Sequence, residues 1–368
     1  MRQQTVAASL AVPLFLVASG AAFAVQIGVM GDSLSDEYFE QTYGSYADNW
    51  TEQFVTYRGV DMGPLGAWGE PRRNGYEYNW ARSGATTTSL LSTGQHTGLA
   101  GQVVPEGIDY AVLMIGPNDQ HALSNMYSNL YSGAWTPGDA NTITWVKTVA
   151  TNIDTAVTTV KATGVPLLLA TSMDFGVTPL VNQSLAPIAS QRQAVTNVLA
   201  NQLTPAIQAI AQAHDLPLID IFGMMNAIVG TPLSLNSTVT IGNFNINLQQ
   251  VDTITGTVPT AGFVDDGIHP HTTLQGVIAN LVMEGLNIGY GANLSLFSET
   301  EILAHRGISY GGSDTLEAQI GPYSDYVLNY VPEPSSLALA TLAAVALPIV
   351  TLRRRSLSVA PTAFRGVA

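Results

Sequence analysis

The chain has 368 residues, of which 46% are hydrophobic and only 11% are charged. This length can form one large domain or two ordinary ones, and the composition excludes an intrinsically disordered chain. The formal net charge of −14 means that the surface repels phosphate backbones, so a nucleic-acid partner is not expected. Because the chain has no cysteine, disulfide bonds and thiolate metal sites are excluded.

The first 24 residues are typical of a signal peptide. Arg2 precedes an apolar region, and the segment ends in Ala22-Phe23-Ala24, an A-x-A cleavage pattern. We therefore expect residues 1–24 to be removed, so that the mature chain begins at Val25. A retained membrane anchor is the alternative, and the small residues at the end of the segment favour cleavage over it.

The mature region alternates between strand-like and helix-like segments. Four apolar runs are predicted as strands, at residues 25–30, 109–115, 165–171 and 216–220. Two long amphipathic helices are predicted at residues 141–163, ending before Gly164, and at residues 189–214, where Pro205 is expected to cause a kink. Strands alternating with helices predict one α/β domain over residues 25–330, a three-layer α/β/α sandwich with a mainly parallel central sheet.

Some segments depart from this alternation. Residues 57–78 are rich in glycine, proline and aromatic residues and are predicted as a long loop. Residues 238–258 alternate polar and apolar side chains, which predicts a β-hairpin inserted after the fourth strand. Residues 89–107 have no clear pattern, and residues 290–330 are interpreted as a late strand-rich appendage or a linker to the C-terminal tail.

A serine follows the first predicted strand directly, in Gly31-Asp32-Ser33-Leu34-Ser35. Open α/β sheets bind their ligands at this end of a strand. Ser33 could act there as a nucleophile if a neighbouring base takes its proton, or Ser33 or Ser35 could cap a helix. The Gly-x-Ser-x-Gly elbow of the α/β-hydrolases is absent, so that fold is not indicated.

Two further segments contain residues that could stabilise an oxyanion. Gly84, in Asn79-Trp80-Ala81-Arg82-Ser83-Gly84-Ala85-Thr86, lacks a Cβ and could let its backbone N–H approach a bound oxyanion. Asn118, in Gly116-Pro117-Asn118-Asp119, follows the second predicted strand and could donate through its side-chain amide. Each has a structural alternative, a turn glycine in the first case and an Asx turn in the second.

An acid and a base lie close together between residues 263 and 270. Asp266 and His269 are three residues apart, so on one tight loop the carboxylate could orient the imidazole while its other nitrogen faces Ser33. Asp265 is an alternative to Asp266 as the carboxylate that orients the histidine, and His271 is an alternative to His269 as the base. The remaining histidines have no such context: His96, His121, His214 and His305.

These four segments resemble, in the right order, the four sequence blocks of the GDSL, or SGNH, hydrolases. Gly31-Asp32-Ser33-Leu34-Ser35 resembles the first block, and the D-x-x-H spacing of Asp266 and His269 matches the last one. The resemblance implies an SGNH/flavodoxin-like fold and a catalytic triad of Ser33, Asp266 and His269. It further implies an oxyanion hole formed by Ser33, Gly84 and Asn118.

One departure from the family pattern is visible. The first block of the family commonly continues to a glycine soon after its aspartate, whereas this chain continues Asp36-Glu37-Tyr38-Phe39. This difference concerns the shape of one pocket wall and leaves the nucleophile unaffected.

The function implied by the resemblance is that of a serine ester hydrolase, an esterase or lipase that forms an acyl-enzyme on Ser33. No cofactor and no metal are expected. An O-acyltransferase with the same triad and a non-catalytic surface or matrix protein are the alternatives. The substrate is expected to be an acylated carbohydrate or a lipid, and a carbohydrate acetylesterase is one form of this function.

Side chains near the four segments could contribute to substrate binding. Arg72 and Arg73 could hold a substrate carboxylate, or they could pair with Glu70 and Glu77 at the surface. Aromatic residues could form a stacking platform for carbohydrate or an acyl groove, or they could serve packing alone: Tyr38, Tyr43, Tyr46, Trp50, Trp68, Tyr76 and Tyr78.

The C-terminal residues resemble a PEP-CTERM sorting signal. Pro332-Glu333-Pro334 precedes an apolar stretch at residues 335–352, long enough for a transmembrane helix, and then Arg353-Arg354-Arg355 and a cytoplasmic tail at residues 356–368. The resemblance of segment 331–355 implies export from a Gram-negative bacterium to the periplasm, cell surface or extracellular matrix. It also implies transient membrane anchoring and removal of the tail by an exosortase-type enzyme, with a simple C-terminal anchor as the alternative. Such a signal favours a carbohydrate esterase over a lipase.

Overall fold

The computed structural model describes residues 24–120, 125–310 and 312–331. The predicted signal peptide and the predicted sorting segment, with its membrane span and tail, lie outside these residues except for Ala24 and Val331. Within the described part of the chain, no helix is both long and apolar enough to cross a membrane.

The secondary structure alternates between strands and helices along the chain. The strands are β1 (Ile27–Gly31), β2 (Leu65–Gly69), β3 (Arg73–Tyr76), β4 (Tyr110–Met114), β5 (Leu167–Ala170), β6 (Pro217–Ile219), β7 (Gly230–Thr231), β8 (Ser234–Leu235), β9 (Thr238–Ile241), β10 (Phe244–Val251), β11 (Ala261–Phe263) and β12 (Val327–Asn329). The helices are α1 (Trp50–Arg58), α2 (Thr87–Ser92), α3 (Gln95–Glu106), α4 (Pro117–Gln120), α5 (Asn125–Ser132), α6 (Ala140–Lys161), α7 (Ala189–Val198), α8 (Thr204–Ala213), α9 (Ile221–Val229), α10 (Thr272–Tyr290), α11 (Glu299–His305) and α12 (Leu316–Ile320).

The central sheet has the strand order β1-β4-β5-β6-β12. The first four of these strands are parallel, and β12 pairs antiparallel with β6 at the edge. The four parallel strands are the four apolar runs predicted from the sequence. Because helices cover both faces, these strands are buried on both sides, which explains their continuous apolar sequence. The predicted three-layer α/β/α architecture with a mainly parallel sheet is confirmed.

Helices α1 and α10 lie on one side of the sheet, and α3, α6 and α8 lie on the other. The close packing of α10 depends on Gly285, since a Cβ at this position would lie 2.6 Å from Ile219 Cγ2 and 2.9 Å from Leu168 Cδ1. A larger residue there would push the helix away from strands β5 and β6.

The two predicted long helices are present, close to their expected bounds. The first is α6, and Gly164 follows it with a φ of +88°. The second is divided into α7 and α8 by a π-helical turn, Leu199–Leu203, which ends just before Pro205. Because proline has no N–H to donate to the preceding turn, a local change of helix geometry at this position is expected.

Two interpretations of irregular segments are wrong. Residues 57–78 are not simply a loop, because they contain the antiparallel hairpin of β2 and β3. Residues 290–330 are neither an appendage nor a linker, since they form α11 and α12 and supply β12 to the central sheet. Residues 89–107, which had no clear pattern, lie mostly in α3.

The predicted hairpin after the fourth sheet strand is present as β9 and β10, which pair antiparallel. Strand β10 also pairs in parallel with β11, so that the insertion becomes a three-stranded sheet of order β11-β10-β9. Since β11 ends at Phe263, the insertion leads directly into the segment that contains Asp266 and His269.

Candidate active site

Ser33 lies in a tight turn at the carboxyl end of β1. The backbone N–H groups of Ser35 and Asp36 both donate to the carbonyl oxygen of Asp32, at 3.0 and 2.9 Å. Just before the turn, the buried side chain of Gln95 bonds both backbone groups of Gly31. It accepts from Gly31 N at 3.0 Å and donates to Gly31 O at 3.1 Å. These bonds fix the end of β1 from which Ser33 projects.

Asp266 and His269 lie on a short loop that follows β11. The loop is closed by a hydrogen bond from Val264 N to His269 O, 3.0 Å. Asp266 Oδ1 accepts the backbone N–H groups of Ile268 and His269 at 2.8 and 3.0 Å, which holds the carboxylate in one orientation.

The loop brings both side chains to Ser33. Asp266 Oδ2 lies 2.5 Å from His269 Nδ1, and His269 Nε2 lies 2.6 Å from Ser33 Oγ. A carboxylate beside Nδ1 favours the tautomer with the proton on Nδ1, so Nε2 is free to accept the serine proton. Burial raises the pKa of Asp266, but the hydrogen bond and charge of His269 and the backbone N–H groups outweigh it, so the pKa lies below its ordinary value.

The competing acid and base have other partners. Asp265 Oδ1 accepts a hydrogen bond from the hydroxyl of Tyr46 at 2.9 Å. His271 is buried, with Nε2 at 3.2 Å from Asp252 Oδ2 and Nδ1 accepting from Thr272 N at 2.7 Å. Burial and, to a smaller extent, the charge of the nearby Arg306 together lower the pKa of His271 to about 2, so this imidazole stays neutral.

The remaining histidines are engaged elsewhere or lie outside the described residues. His214 Nε2 lies 2.7 Å from Asp154 Oδ1, and His305 stacks on a tyrosine ring at a centroid distance of 3.7 Å. His96 is buried, and His121 lies outside the described part of the chain.

Gly84 lies in a four-residue turn, residues 82–85, which we call the oxyanion turn. Ala85 N donates to Arg82 O at 2.9 Å, and Gly84 has a φ of +79°. A type II turn requires a φ of about +80° at its third residue, which glycine adopts without strain. Across the residues that the structure describes, the backbone N–H groups of Ser33 and Gly84 donate to no protein acceptor. Both are therefore available to a ligand.

Asn118 lies at the start of α4 beside the oxyanion turn. Its Nδ2 donates to the carbonyl oxygen of Ala85 at 3.1 Å, which leaves the second amide hydrogen of this group for another acceptor. The other end of the turn is joined to the nucleophile strand, since Arg82 N donates to Gly31 O at 3.1 Å. The turn therefore connects the segments that contain the three predicted oxyanion donors.

Two tyrosines pack around the histidine. The ring centroids of Tyr38 and Tyr43 lie 6.0 and 5.4 Å from that of His269, and both rings are buried. Trp50, in contrast, is in the core, and its Nε1 donates to Ser35 Oγ at 3.1 Å. Among the aromatic residues singled out from the sequence, Tyr38 and Tyr43 thus line the side of the histidine, while Trp50 serves packing.

The paired arginines, Arg72 and Arg73, bind residues in and just after the hairpin of β2 and β3. The guanidinium of Arg72 lies 4.2 Å from the ring centroid of Trp80, and its NH1 donates to the carbonyl oxygen of Glu77 at 2.6 Å. Arg73 Nε lies 3.0 Å from Glu70 Oε1. The pairing alternative therefore describes Arg73, which binds the Glu70 carboxylate, whereas Arg72 contacts the Glu77 backbone and an indole ring.

Supporting residues of the site had no signal in the sequence. Gln95 contacts Gly31 across 64 residues of chain, and Asp36 accepts from Ser83 N across 47 residues. A local sequence pattern cannot predict contacts between residues so far apart in the chain. Over the described residues, no group of three or more histidine, aspartate and glutamate side chains is arranged to hold a metal ion.

Residues 27–282 match the model of the GDSL-like lipase/acylhydrolase family. The chain belongs to this family. As a GDSL-like acylhydrolase it is a hydrolase of ester bonds, as the four sequence blocks predicted.

Solved structures similar to this acylhydrolase include two bacterial enzymes. A GDSL-like lipase from Bacteroides thetaiotaomicron has 14% identity and a TM-score of 0.40, over 72% of this chain and 88% of that one. An acetylxylan esterase from Geobacillus stearothermophilus has 13% identity and a TM-score of 0.38, over 71% of this chain and 94% of that one. The search of curated proteins gave no match.

Proposed function

We propose that this protein is an exported serine esterase that forms an acyl-enzyme on Ser33. The observation that supports this most directly is the continuous contact from Asp266 through His269 to Ser33, with distances of 2.5 and 2.6 Å. A serine hydroxyl is a weak nucleophile until a base takes its proton, and this geometry supplies the base and the group that orients it.

In the acylation step, His269 Nε2 takes the proton of Ser33 Oγ while that oxygen attacks the ester carbonyl carbon. Asp266 stabilises the imidazolium that forms. The tetrahedral oxyanion is held by the N–H groups of Ser33 and Gly84 and by Asn118 Nδ2. Collapse of the intermediate breaks the bond to the alcohol, which leaves with the proton from His269.

In the deacylation step, His269 takes a proton from water, and the hydroxide attacks the acyl carbon bound to Ser33. The same donors hold the second oxyanion, and the proton returns from His269 to Ser33 as the carboxylic acid leaves. Each oxyanion donor in such a site contributes about 3–4 kcal/mol to lowering the barrier.

Substitution of Ser33 tests the proposal. We expect Ser33→Ala to abolish turnover of p-nitrophenyl acetate and to prevent labelling by a fluorophosphonate, whose adduct in the unsubstituted protein should map to Ser33. Ser35→Ala is the matched control, because Ser35 is a buried hydroxyl in the same turn that contacts Trp50. Full esterase activity in Ser33→Ala would overturn the assignment.

For the substrate we propose a short acyl ester of a carbohydrate. The C-terminal resemblance to a sorting signal of exported proteins supports a carbohydrate substrate, and the buried Tyr38 and Tyr43 beside His269 limit the space on that side. A series of p-nitrophenyl esters from acetate to palmitate should show the highest kcat/KM at acetate. Highest activity on palmitate would point to a lipase. Formation of an acylated sugar when an acceptor sugar is added would point to an O-acyltransferase.

We further propose that the enzyme is exported and processed at both ends. Cleavage after Ala24 would leave the fold intact, because Val25 remains to accept a hydrogen bond from Asp61 N at 2.9 Å. The N-terminal sequence of protein recovered from outside the cytoplasm should begin at Val25. Mass spectrometry of the same protein should show whether an exosortase-type enzyme has removed the residues after Pro334.

A further inference from the structure

The carboxylate of Asp36 contacts the middle of the oxyanion turn. Asp36 is 6% exposed, and its Oδ2 accepts the backbone N–H of Ser83 at 2.6 Å. Ser83 is the second residue of the turn and Gly84 the third. Asp36 therefore binds the peptide group immediately before the one that carries the Gly84 N–H.

The orientation of the peptide group that carries the Gly84 N–H decides what the turn presents. Type I and type II turns differ by a flip of the peptide between their second and third residues. The peptide between Ser83 and Gly84 carries the Ser83 carbonyl oxygen on one side and the Gly84 N–H on the other. A flip exchanges the two, so the face of the turn that presented a donor then presents an acceptor. Glycine allows both backbone conformations with little strain, so the sequence of the turn alone does not fix the orientation.

The backbone groups at the ends of the turn have partners elsewhere, whereas the middle is bound by Asp36, whose Oδ2 also lies 3.7 Å from Arg82 NH1. Arg82 N bonds the end of β1, and Ala85 O accepts from Asn118. In the described chain, Asp36 is the acceptor that engages Ser83 N. Asp36 is itself fixed, because its carbonyl oxygen accepts from Asn49 Nδ2 at 2.7 Å.

From these contacts we infer that Asp36 is a positioning residue for the oxyanion hole: by binding Ser83 N it fixes the second residue of the turn and so the place of the Gly84 N–H that follows. The inference rests on the proposed function, since the direction of the Gly84 N–H matters for catalysis only where an oxyanion forms. Asp36 acts through Ser83 and Gly84 without touching the substrate.

Two substitutions of Asp36 separate its acceptor from its charge. Asp36→Ala removes the acceptor, and we expect kcat to fall about 10- to 100-fold with KM within twofold, since small misplacements of catalytic groups have effects of this size. Asp36→Asn keeps an oxygen acceptor and should retain kcat within about threefold. An Asp36→Ala enzyme with unchanged kcat, or an Asp36→Asn enzyme that loses as much as Asp36→Ala, would overturn the inference.

The matched control is Asp61→Ala. Asp61 also accepts a backbone N–H, from Gly63 at 2.8 Å, but it lies beside the amino end of β1, away from the site. Its removal should leave kcat unchanged. A thionoester gives a second readout, because sulfur accepts hydrogen bonds more weakly than oxygen. The rate ratio of ester to thionoester should fall in Asp36→Ala, whereas a general loss of structure would lower both rates equally and contradict the inference.

The double variant Asp36→Ala/Ser83→Pro tests the same point if Asp36→Ala does not fold. Proline at the second position followed by glycine favours a type II turn, and it removes the N–H that would otherwise lack a partner. We expect kcat of the double variant to lie within about fivefold of the unsubstituted enzyme. A kcat as low as that expected for Asp36→Ala would overturn the inference. Ser33→Ala distinguishes the two proposals, because its full activity would refute the proposed function itself.

Discussion

Both carboxylate oxygens of Asp266 are used within its own loop. Oδ1 accepts two backbone N–H groups, and Oδ2 accepts from His269 Nδ1. In Asp266→Asn the amide oxygen can keep the backbone bonds only by turning its NH₂ group towards Nδ1. The imidazole is then held as the other tautomer, with its proton on Nε2, so it cannot accept the proton of Ser33.

We therefore expect Asp266→Asn to lower kcat by about 10³- to 10⁴-fold with little change in KM, as in serine hydrolases with the wrong histidine tautomer. Steady-state kinetics on p-nitrophenyl acetate would measure this. Asp265→Asn is the neighbouring control and should retain activity, because Asp265 bonds Tyr46. A loss of less than tenfold in Asp266→Asn would show that another group orients His269.

Substitution of Gly84 tests the role of its backbone conformation. A Cβ at Gly84 would meet no atom within 4 Å, so Gly84→Ala introduces strain at a φ of +79° without a clash. We expect it to cost about 1–2 kcal/mol of stability and to lower kcat as the turn relaxes. Gly59→Ala is the matched control, with a φ of +63° and open space but a position at the end of α1. Equal loss of kcat in both variants would contradict a specific role of Gly84.

The residues of the site differ in how well the sequence predicts them. Ser33, Asp266 and His269 could be predicted because each carries a local signal: a serine after a strand, and an acid three residues before a base. Asp36 could not be assigned a role, because its partner Ser83 is 47 residues away and any polar residue can accept a backbone N–H. The conformation of the loop decides that Asp266 contacts His269 while Asp265 contacts Tyr46.

The inserted sheet carries the loop of Asp266 and His269. A buried ion pair joins it to α11: Arg306 NH2 lies 2.7 Å from Asp252 Oδ2, and Arg306 NH1 donates to the carbonyl oxygen of Ala261 at 2.7 Å. Asp252 also contacts His271, two residues after His269. The ion pair thus connects the end of β10 to both sides of the loop.

Arg306→Met should therefore destabilise the protein strongly. It leaves Asp252 as a buried charge without its cation, which costs about 3–5 kcal/mol in comparable pairs. Urea unfolding would measure the change in the free energy of unfolding. Because the double variant Arg306→Met/Asp252→Asn removes both charges, we expect it to recover part of the loss. If Arg306→Met is as stable as the unsubstituted protein, the ion pair does not hold the loop.

Among the secondary-structure elements, the strands that could be predicted are those buried on both faces of the sheet, because their sequences are continuous apolar runs. Strands β1, β4, β5 and β6 are such runs. The hairpin of β2 and β3 was missed because its positions are mostly exposed or half-buried, so no apolar pattern marks it. Strand β12 is three residues long, and its place beside β6 follows from tertiary packing.

The whole molecule is acidic, and several of its carboxyl groups are buried near the nucleophile turn. Desolvation raises the pKa values of Asp32 and Asp36 to about 7, that of Glu37 to about 8 and that of Glu52 to about 7. Backbone N–H groups offset part of this effect at each site. These carboxyls bind protons more tightly in the folded chain than in the unfolded one, whose Asp and Glu side chains titrate near 3.8 and 4.5.

The stability of the fold should consequently decrease as the pH rises from 5 to 8. Below the unfolded pKa values the favourable contribution of these groups is complete. It is lost as the pH rises from the unfolded pKa values to the folded ones near 7 and 8, because over this range the folded state holds protons that the unfolded state has released. Asp266 acts in the opposite sense. Because its pKa is lowered in the fold, it contributes stability above pH 3.8, and this contribution is lost only in more acidic solution.

Thermal unfolding at constant ionic strength between pH 5 and pH 8 measures this dependence. We expect the Tm to be higher at pH 5 than at pH 8. Glu37→Gln should reduce the difference, because it removes one group that must lose a proton inside the fold. Glu106→Gln is the control, since Glu106 is exposed and its removal should leave the slope unchanged. A Tm that rises from pH 5 to pH 8 would mean that the buried carboxyls are ionised throughout and stabilised by their hydrogen bonds.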